Sequence, residues 1–220
     1  MEMIKENSAQ LTVNGGVYLV LDPAMQREVL LDKLKAALLG GVQVMQIWNN
    51  WAPATDKLQL IAEINELCKP FGTPLLINED WALLQRTTHI DGVHFDKIPD
   101  DLGKIKAAIG RRFIAGITCS GNLDTVAWAH QQRLDYISFC SMFPSLSAGS
   151  CDIVMPDTVR QARRMTDLPI FVSGGITPEN TRLLKKQIPF NGVAVISGIL
   201  SADHPDQKVI QYHNALDFKL

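Results

Sequence analysis

Two short stretches in the last quarter of this 220-residue chain have the makings of an anion site. Ser173-Gly174-Gly175-Ile176 and Ala194-Val195-Ile196-Ser197 each end an apolar run, and each runs into a helical pattern. Two glycines carry no Cβ to keep an anion from the main-chain N–H groups, and the amides of Ser197 and Gly198 can point out of a first helical turn. A lone Gly-Gly reads equally well as a tight strand-to-helix turn. Two such ends in succession favour a phosphate, with Gly174, Gly175, Ile196 and Ser197 as the binding positions.

The other chemistry-bearing residues are sparse. Four cysteines, at positions 68, 119, 140 and 151, form no CxxC pair and have no close histidine partner. That spacing suits neither zinc nor a disulfide framework, and it reads as buried free thiols in a reducing compartment. His94, inside an apolar run, reads as a packed, hydrogen-bonded core residue in preference to a catalytic one. His89 and His130 read as structural or exposed.

The elements that must position these residues alternate regularly. Short β-rich runs are expected at Val17–Leu21, Val42–Ile47, Leu75–Ile77, Asp91–Phe95, Phe113–Ile117, Tyr136–Phe139, Pro169–Val172 and Val193–Ile196. Helical patterns follow them. The first spans Ala24–Leu39 and stops at Gly40-Gly41, the second spans Thr55–Cys68, and the seventh opens at Thr177-Pro178 with an N-cap and a first-turn proline. Eight strand–helix units argue for a closed α/β barrel, a (β/α)8 TIM barrel, as a single domain over residues 1–220. Residues 1–14 are expected as an N-terminal extension and 201–220 as a C-terminal helix. Val, Ile and Leu in the strand interiors fit strands covered on both faces.

Composition narrows the partners. With 46% hydrophobic and 20% charged residues and a formal net charge of −2, the chain gives no reason to expect nucleic acid or an anionic membrane. No apolar run approaches the ~20 residues that span a bilayer, and the polar start is not a secretory signal. A cytoplasmic protein acting on a small molecule is expected. Whether it forms a homo-oligomer is left open.

In such a barrel the active site lies at the C-terminal ends of the strands, with phosphate commonly held after strands seven and eight. The residues there include Gln46, Trp48, Asn78, Glu79, Asp96, Thr118, Ser145 and Ser147. Their order resembles the thiamine phosphate synthase and TenI family over nearly the whole chain. The shared features are Tyr18-Leu19-Val20, Gly41-Val42-Gln43 leading to Gln46, Leu76-Ile77-Asn78, Asp91-Gly92-Val93-His94, Met142-Phe143-Pro144-Ser145 and the two glycine- and serine-bearing ends.

The resemblance implies condensation of a hydroxymethylpyrimidine diphosphate with a thiazole phosphate, releasing pyrophosphate with magnesium. It places Gln46 and Asn78 on the pyrimidine, Thr118 near the diphosphate, and Ser145 and Ser147 on the thiazole phosphate. Mg2+ would fall to Glu79 and to Asp96 or Asp100, with Asp101 a further alternative. The related thiazole tautomerases use a histidine where this chain has Ser120, which disfavours that reaction.

The departures from the family pattern are concentrated. Gln-Leu-Arg-(Asp/Glu)-Lys on strand two is here Gln46-Ile47-Trp48-Asn49-Asn50; Pro99 stands on the position of the second magnesium aspartate; and Ala148 replaces a loop lysine. Three cationic groups that would neutralise a diphosphate are missing together, each such contact being worth about 1.5–3 kcal/mol. Two readings remain: a synthase with a rebuilt diphosphate site, or a barrel that binds a phosphorylated thiazole or similar ester without turnover. An unrelated reaction on the inherited phosphate site is a third. Trp48 could stack on a heteroaromatic ring or pack under a loop.

Overall fold

A computed structural model describes residues 12–145 and 152–217. Eight parallel strands pair in sequence order and close into a barrel. They are β1 Gly16–Leu21, β2 Val44–Ile47, β3 Leu75–Asn78, β4 Gly92–Phe95, β5 Ile114–Thr118, β6 Tyr136–Phe139, β7 Ile170–Ser173 and β8 Gly192–Val195. The return helices are α1 Arg27–Leu39, α2 Lys57–Cys68, α3 Leu83–Arg86, α4 Leu102–Ile109, α5 Leu123–Gln131, α6 Pro156–Met165, α7 Pro178–Gln187 and the single turn α8 Ser197–Leu200. A further helix, α9 Pro205–Leu216, packs on α1 and α7.

The expected barrel is the observed one, with element ends displaced by local chemistry. The first helix starts at Arg27, three residues late. The Asp22 carboxylate accepts from the Ala24 amide at 3.0 Å and the Met25 amide reaches the Asp22 carbonyl at 3.2 Å, so the chain turns before it coils. Strand two starts at Val44, because the Gln43 side chain accepts from the Val17 amide at the barrel rim. The N-cap at Thr177 is present as a full capping box with Asn180.

Two apolar layers hold the barrel. Between sheet and helices lies the main core, which includes Leu30, Leu34, Ile61, Ile117, Val172 and Val209. Inside the barrel a smaller cluster of Tyr18, Val44, Leu76, Ile114, Tyr136 and Phe171 fills the lower half. Tyr18, Tyr136 and Phe171 meet edge to face at 5.4–5.7 Å between centroids, the arrangement their ring quadrupoles favour. Gly116 makes room for this: a Cβ there would fall 2.1 Å from the Tyr136 ring. Among the described residues, no helix is long and apolar enough to cross a membrane.

Candidate active site

Above the aromatic layer a cavity of about 470 Å3 opens at the C-terminal ends of the strands, with residues from every strand in its wall. Its floor is a chain of hydrogen bonds. The Tyr18 hydroxyl donates to the Gln46 side-chain oxygen. It lies 2.8 Å from the Tyr136 hydroxyl, which in turn lies 2.8 Å from His94 Nδ1. His94 Nε2 is 2.8 Å from the Thr118 hydroxyl, itself 3.1 Å from that of Ser138.

One proton placement satisfies the whole chain. Because Tyr18 spends its hydrogen on Gln46, it accepts from Tyr136. Tyr136 then accepts from His94 Nδ1–H, and Nε2 accepts from Thr118. The imidazole is therefore neutral, and burial lowers its pKa to about 4. Burial likewise pushes both tyrosines well above the ordinary phenol range. These groups are fixed hydrogen-bonding partners at neutral pH. With its oxygen occupied, Gln46 has its amide N–H groups for a ligand.

The corner between β3 and β4 is acidic. Asn78 Nδ2 donates to Asp96 at 3.0 Å and to the His94 carbonyl at 3.3 Å. The Asp96 amide donates to the Glu79 carboxylate, which ties Glu79 to the start of the loop after β4. Glu79 is held there with φ of 59°, a left-handed conformation uncommon for a non-glycine residue and frequent at functional sites. Desolvation raises the Asp96 pKa, partly offset by the Asn78 hydrogen bond. Asp96 is the carboxylate that reaches the cavity wall; Mg2+ typically takes one or two protein carboxylates and fills its remaining positions with water and phosphate oxygens. Glu79 and Asp100 both lie outside the cavity wall, Asp100 exposed, while Asp101 caps α4 through the Lys104 amide at 2.9 Å.

Across the barrel, Ser173, Gly174, Gly175, Ile196, Ser197 and Gly198 form the opposite wall. Among the described residues the amides of Gly175, Ser197 and Gly198 meet no protein acceptor. The glycines also have a packing role beyond the one their sequence suggests. At Gly174, φ is 81° and a Cβ would lie 1.8 Å from the Ser141 hydroxyl; at Gly175 it would lie 2.6 Å from the Pro144 carbonyl. The segment after β6 is pressed onto this turn by bonds from the Met142 amide to Ser173 and the Phe143 amide to Gly174. Asn180 fastens the turn from below, donating to the Gly175 carbonyl at 2.8 Å.

The other expected positions divide. Gln46, Asn78, Thr118 and Ser145 line the cavity together; Ser147 lies outside the described residues. Trp48 is in the cavity wall, half-buried. Trp51 is packed against the main core, with Lys57 Nζ 5.1 Å above its ring. No Lys or Arg lines the cavity among the described residues, and the undescribed stretch 146–151 contains neither. Cys68 and Cys119 are buried free thiols, each pushed up to about 12 by burial. The sequence reading assigned no role to Tyr18, Tyr136 or Ser138. Their signal is alternation: Tyr18 lies two residues before Val20, the register partner of Gln46; Tyr136 pairs with Gly116, which pairs with His94; and Ser138 pairs with Thr118.

Comparison with known proteins gives the family. The family model described as thiamine monophosphate synthase matches residues 17–199. A thiamine-phosphate synthase of Acidithiobacillus ferrooxidans is 31% identical over 193 residues, covering 86% of this chain and 88% of that protein. One from Methylococcus capsulatus is 31% identical over 165 residues, covering 75% and 73%. Among solved structures, a thiamine phosphate pyrophosphorylase from Pyrococcus furiosus superposes with a TM-score of 0.78 at 20% identity, covering 92% of this chain and 95% of that one. With a family model spanning the barrel from β1 to α8 and curated relatives aligned along most of their length, the chain belongs to the thiamine monophosphate synthase family.

Proposed function

We propose that this chain is a transferase of the thiamine-phosphate synthase type with a rebuilt diphosphate end, joining a pyrimidine diphosphate to a thiazole phosphate. One observation carries the reading. A single cavity has, among the described residues, main-chain amides at β7 and β8 that meet no protein acceptor and the Asp96 carboxylate after β4, with Glu79 bonded to the Asp96 amide behind it, on opposite sides of the barrel. The amides suit the thiazole phosphate, with Ser145 nearby to donate a hydroxyl. Gln46 and Asn78 suit the polar edge of the pyrimidine, and the fixed Thr118–His94–Tyr136 chain holds that floor rigid.

Glu79 and Asp96 would hold Mg2+, which supplies positive charge against a departing diphosphate. Departure of diphosphate leaves positive charge on the pyrimidine, so the reaction needs anion neutralisation more than it needs a base. The neutral imidazole of His94 and the protonated tyrosines accordingly act as hydrogen-bonding surfaces. Incubation with both substrates and Mg2+ should release pyrophosphate, and Glu79→Ala should abolish the release.

A second reading is favoured by the missing cations: the barrel binds a phosphorylated thiazole without turnover. It predicts a thermal shift with thiazole phosphate, no pyrophosphate release, and no binding of the diphosphate substrate at millimolar concentration.

A further inference from the structure

At the opposite, N-terminal end of the barrel lies a second concavity of about 270 Å3, lined by Lys106, Arg111, Arg112, Arg133, Phe113 and Asp135 among others. Four cations face one carboxylate in a chain whose overall formal charge is −2. Asp135 is largely committed: it takes Arg112 at 2.9 Å and the Ala115 amide at 2.8 Å. Arg111 is anchored on the Ile90 carbonyl at 2.8 Å, and Lys106 leans toward the Gln132 carbonyl at 3.4 Å.

Helix ends explain part of this charge. The C-termini of α4 and α5 point to this face, and cations complement helix C-termini. They do not account for the backbone at Arg133. It follows the C-cap of α5 with φ of 54°, where glycine or asparagine is the usual occupant. The sequence thus keeps a strained arginine beside three other cations, a local conflict of the kind that marks functional positions.

We propose that this concavity is a binding site for a small di- or polyphosphate, separate from the cavity at the strands' C-terminal ends. Guanidinium forks match phosphate oxygens in pairs, and Arg111 is already held in place by the carbonyl it donates to. An anion that binds this face only in the folded chain stabilises the fold by mass action.

The probe is inorganic pyrophosphate without Mg2+, read by thermal unfolding against sodium chloride of matched ionic strength. At ten times its dissociation constant, pyrophosphate should raise the midpoint by about 3–6 °C. Arg133→Gly should match or exceed the wild-type midpoint in pyrophosphate-free buffer, because glycine fits the left-handed backbone and one like charge is gone. It should lose at least half of the shift, and Lys106→Gln should do the same by a route that leaves the backbone alone. Ser197→Glu, which blocks the cradle at the other end, should keep the full shift. A full shift in both Arg133→Gly and Lys106→Gln, a shift lost only in Ser197→Glu, or an equal response to chloride would each overturn the proposal. The transferase reading is tested separately, by turnover.

Discussion

The imidazole of His94 lies parallel to the phenol ring of Tyr136, 5.6 Å between centroids, with its Nδ1 2.8 Å from the Tyr136 hydroxyl. The two residues come from strands 42 positions apart, and together they fix the floor of the cavity. Its consequences for pH, packing and ligand choice can be measured separately.

The first is a pH dependence of stability. Burial holds His94 at about 4, below the ordinary histidine value of 6.5. Above pH 6.5 both folded and unfolded forms are neutral at this residue, and it adds no slope. As pH falls from 6.5 to about 4 the unfolded chain takes up a proton that the folded chain refuses, so stability drops by about 3 kcal/mol across that window and levels off below it. Denaturant titrations at several pH values should show this slope, and His94→Gln should remove that part of it. Parallel pH profiles for the two proteins would contradict the assignment.

The second concerns the turn after β7. Gly174→Ala forces a side chain into the Ser141 hydroxyl and into a left-handed backbone, which should cost about 2–4 kcal/mol. Gly72→Ala is the control: φ is 62° but nothing lies within 4 Å of the added Cβ, so only the backbone cost of about 1 kcal/mol applies. Urea midpoints compare the two directly. Equal losses would mean that the segment after β6 does not press on the glycine turn.

How legible these features were in the sequence depends on how local their causes are. The eight strands and the Thr177 cap could be read because their signals, apolar runs and a capping residue before a proline, lie within a few positions of each other. Periodicity alone starts the first helix too early, because Asp22 diverts the chain through a side-chain bond that periodicity does not register. The bonded core role of His94 was legible from its neighbours. Its partners were not, since Tyr18 and Tyr136 meet across 118 positions and only closure of the barrel brings them together. Gly174 was read as making way for an anion. That it also makes way for Ser141 depends on a loop 33 residues upstream.

The third prediction tests the strand-two departure. Trp48 stands in the cavity wall where the family pattern has arginine. Trp48→Arg should tighten the diphosphate substrate at least tenfold, since one charge-assisted contact contributes about 1.5–3 kcal/mol. Isothermal titration measures this without requiring turnover. Unchanged affinity would remove the wall at β2 from the diphosphate end.

The fourth concerns the acidic corner. Asp96→Asn keeps the shape of the side chain and its contact with Asn78 but removes a charge. It should lower the affinity for Mg2+ in the presence of diphosphate at least tenfold and leave thiazole phosphate binding unchanged. A loss of thiazole phosphate binding would mean that the two ends of the cavity are not independent.

A structure of crystals soaked with thiazole phosphate tests the amides at β7 and β8 directly. The prediction is phosphate oxygens about 2.7–3.2 Å from the amide nitrogens of Gly175 and Ser197, with the thiazole ring directed toward Asn78 and Gln46. A phosphate seated anywhere else at a concentration that saturates binding in solution would contradict it.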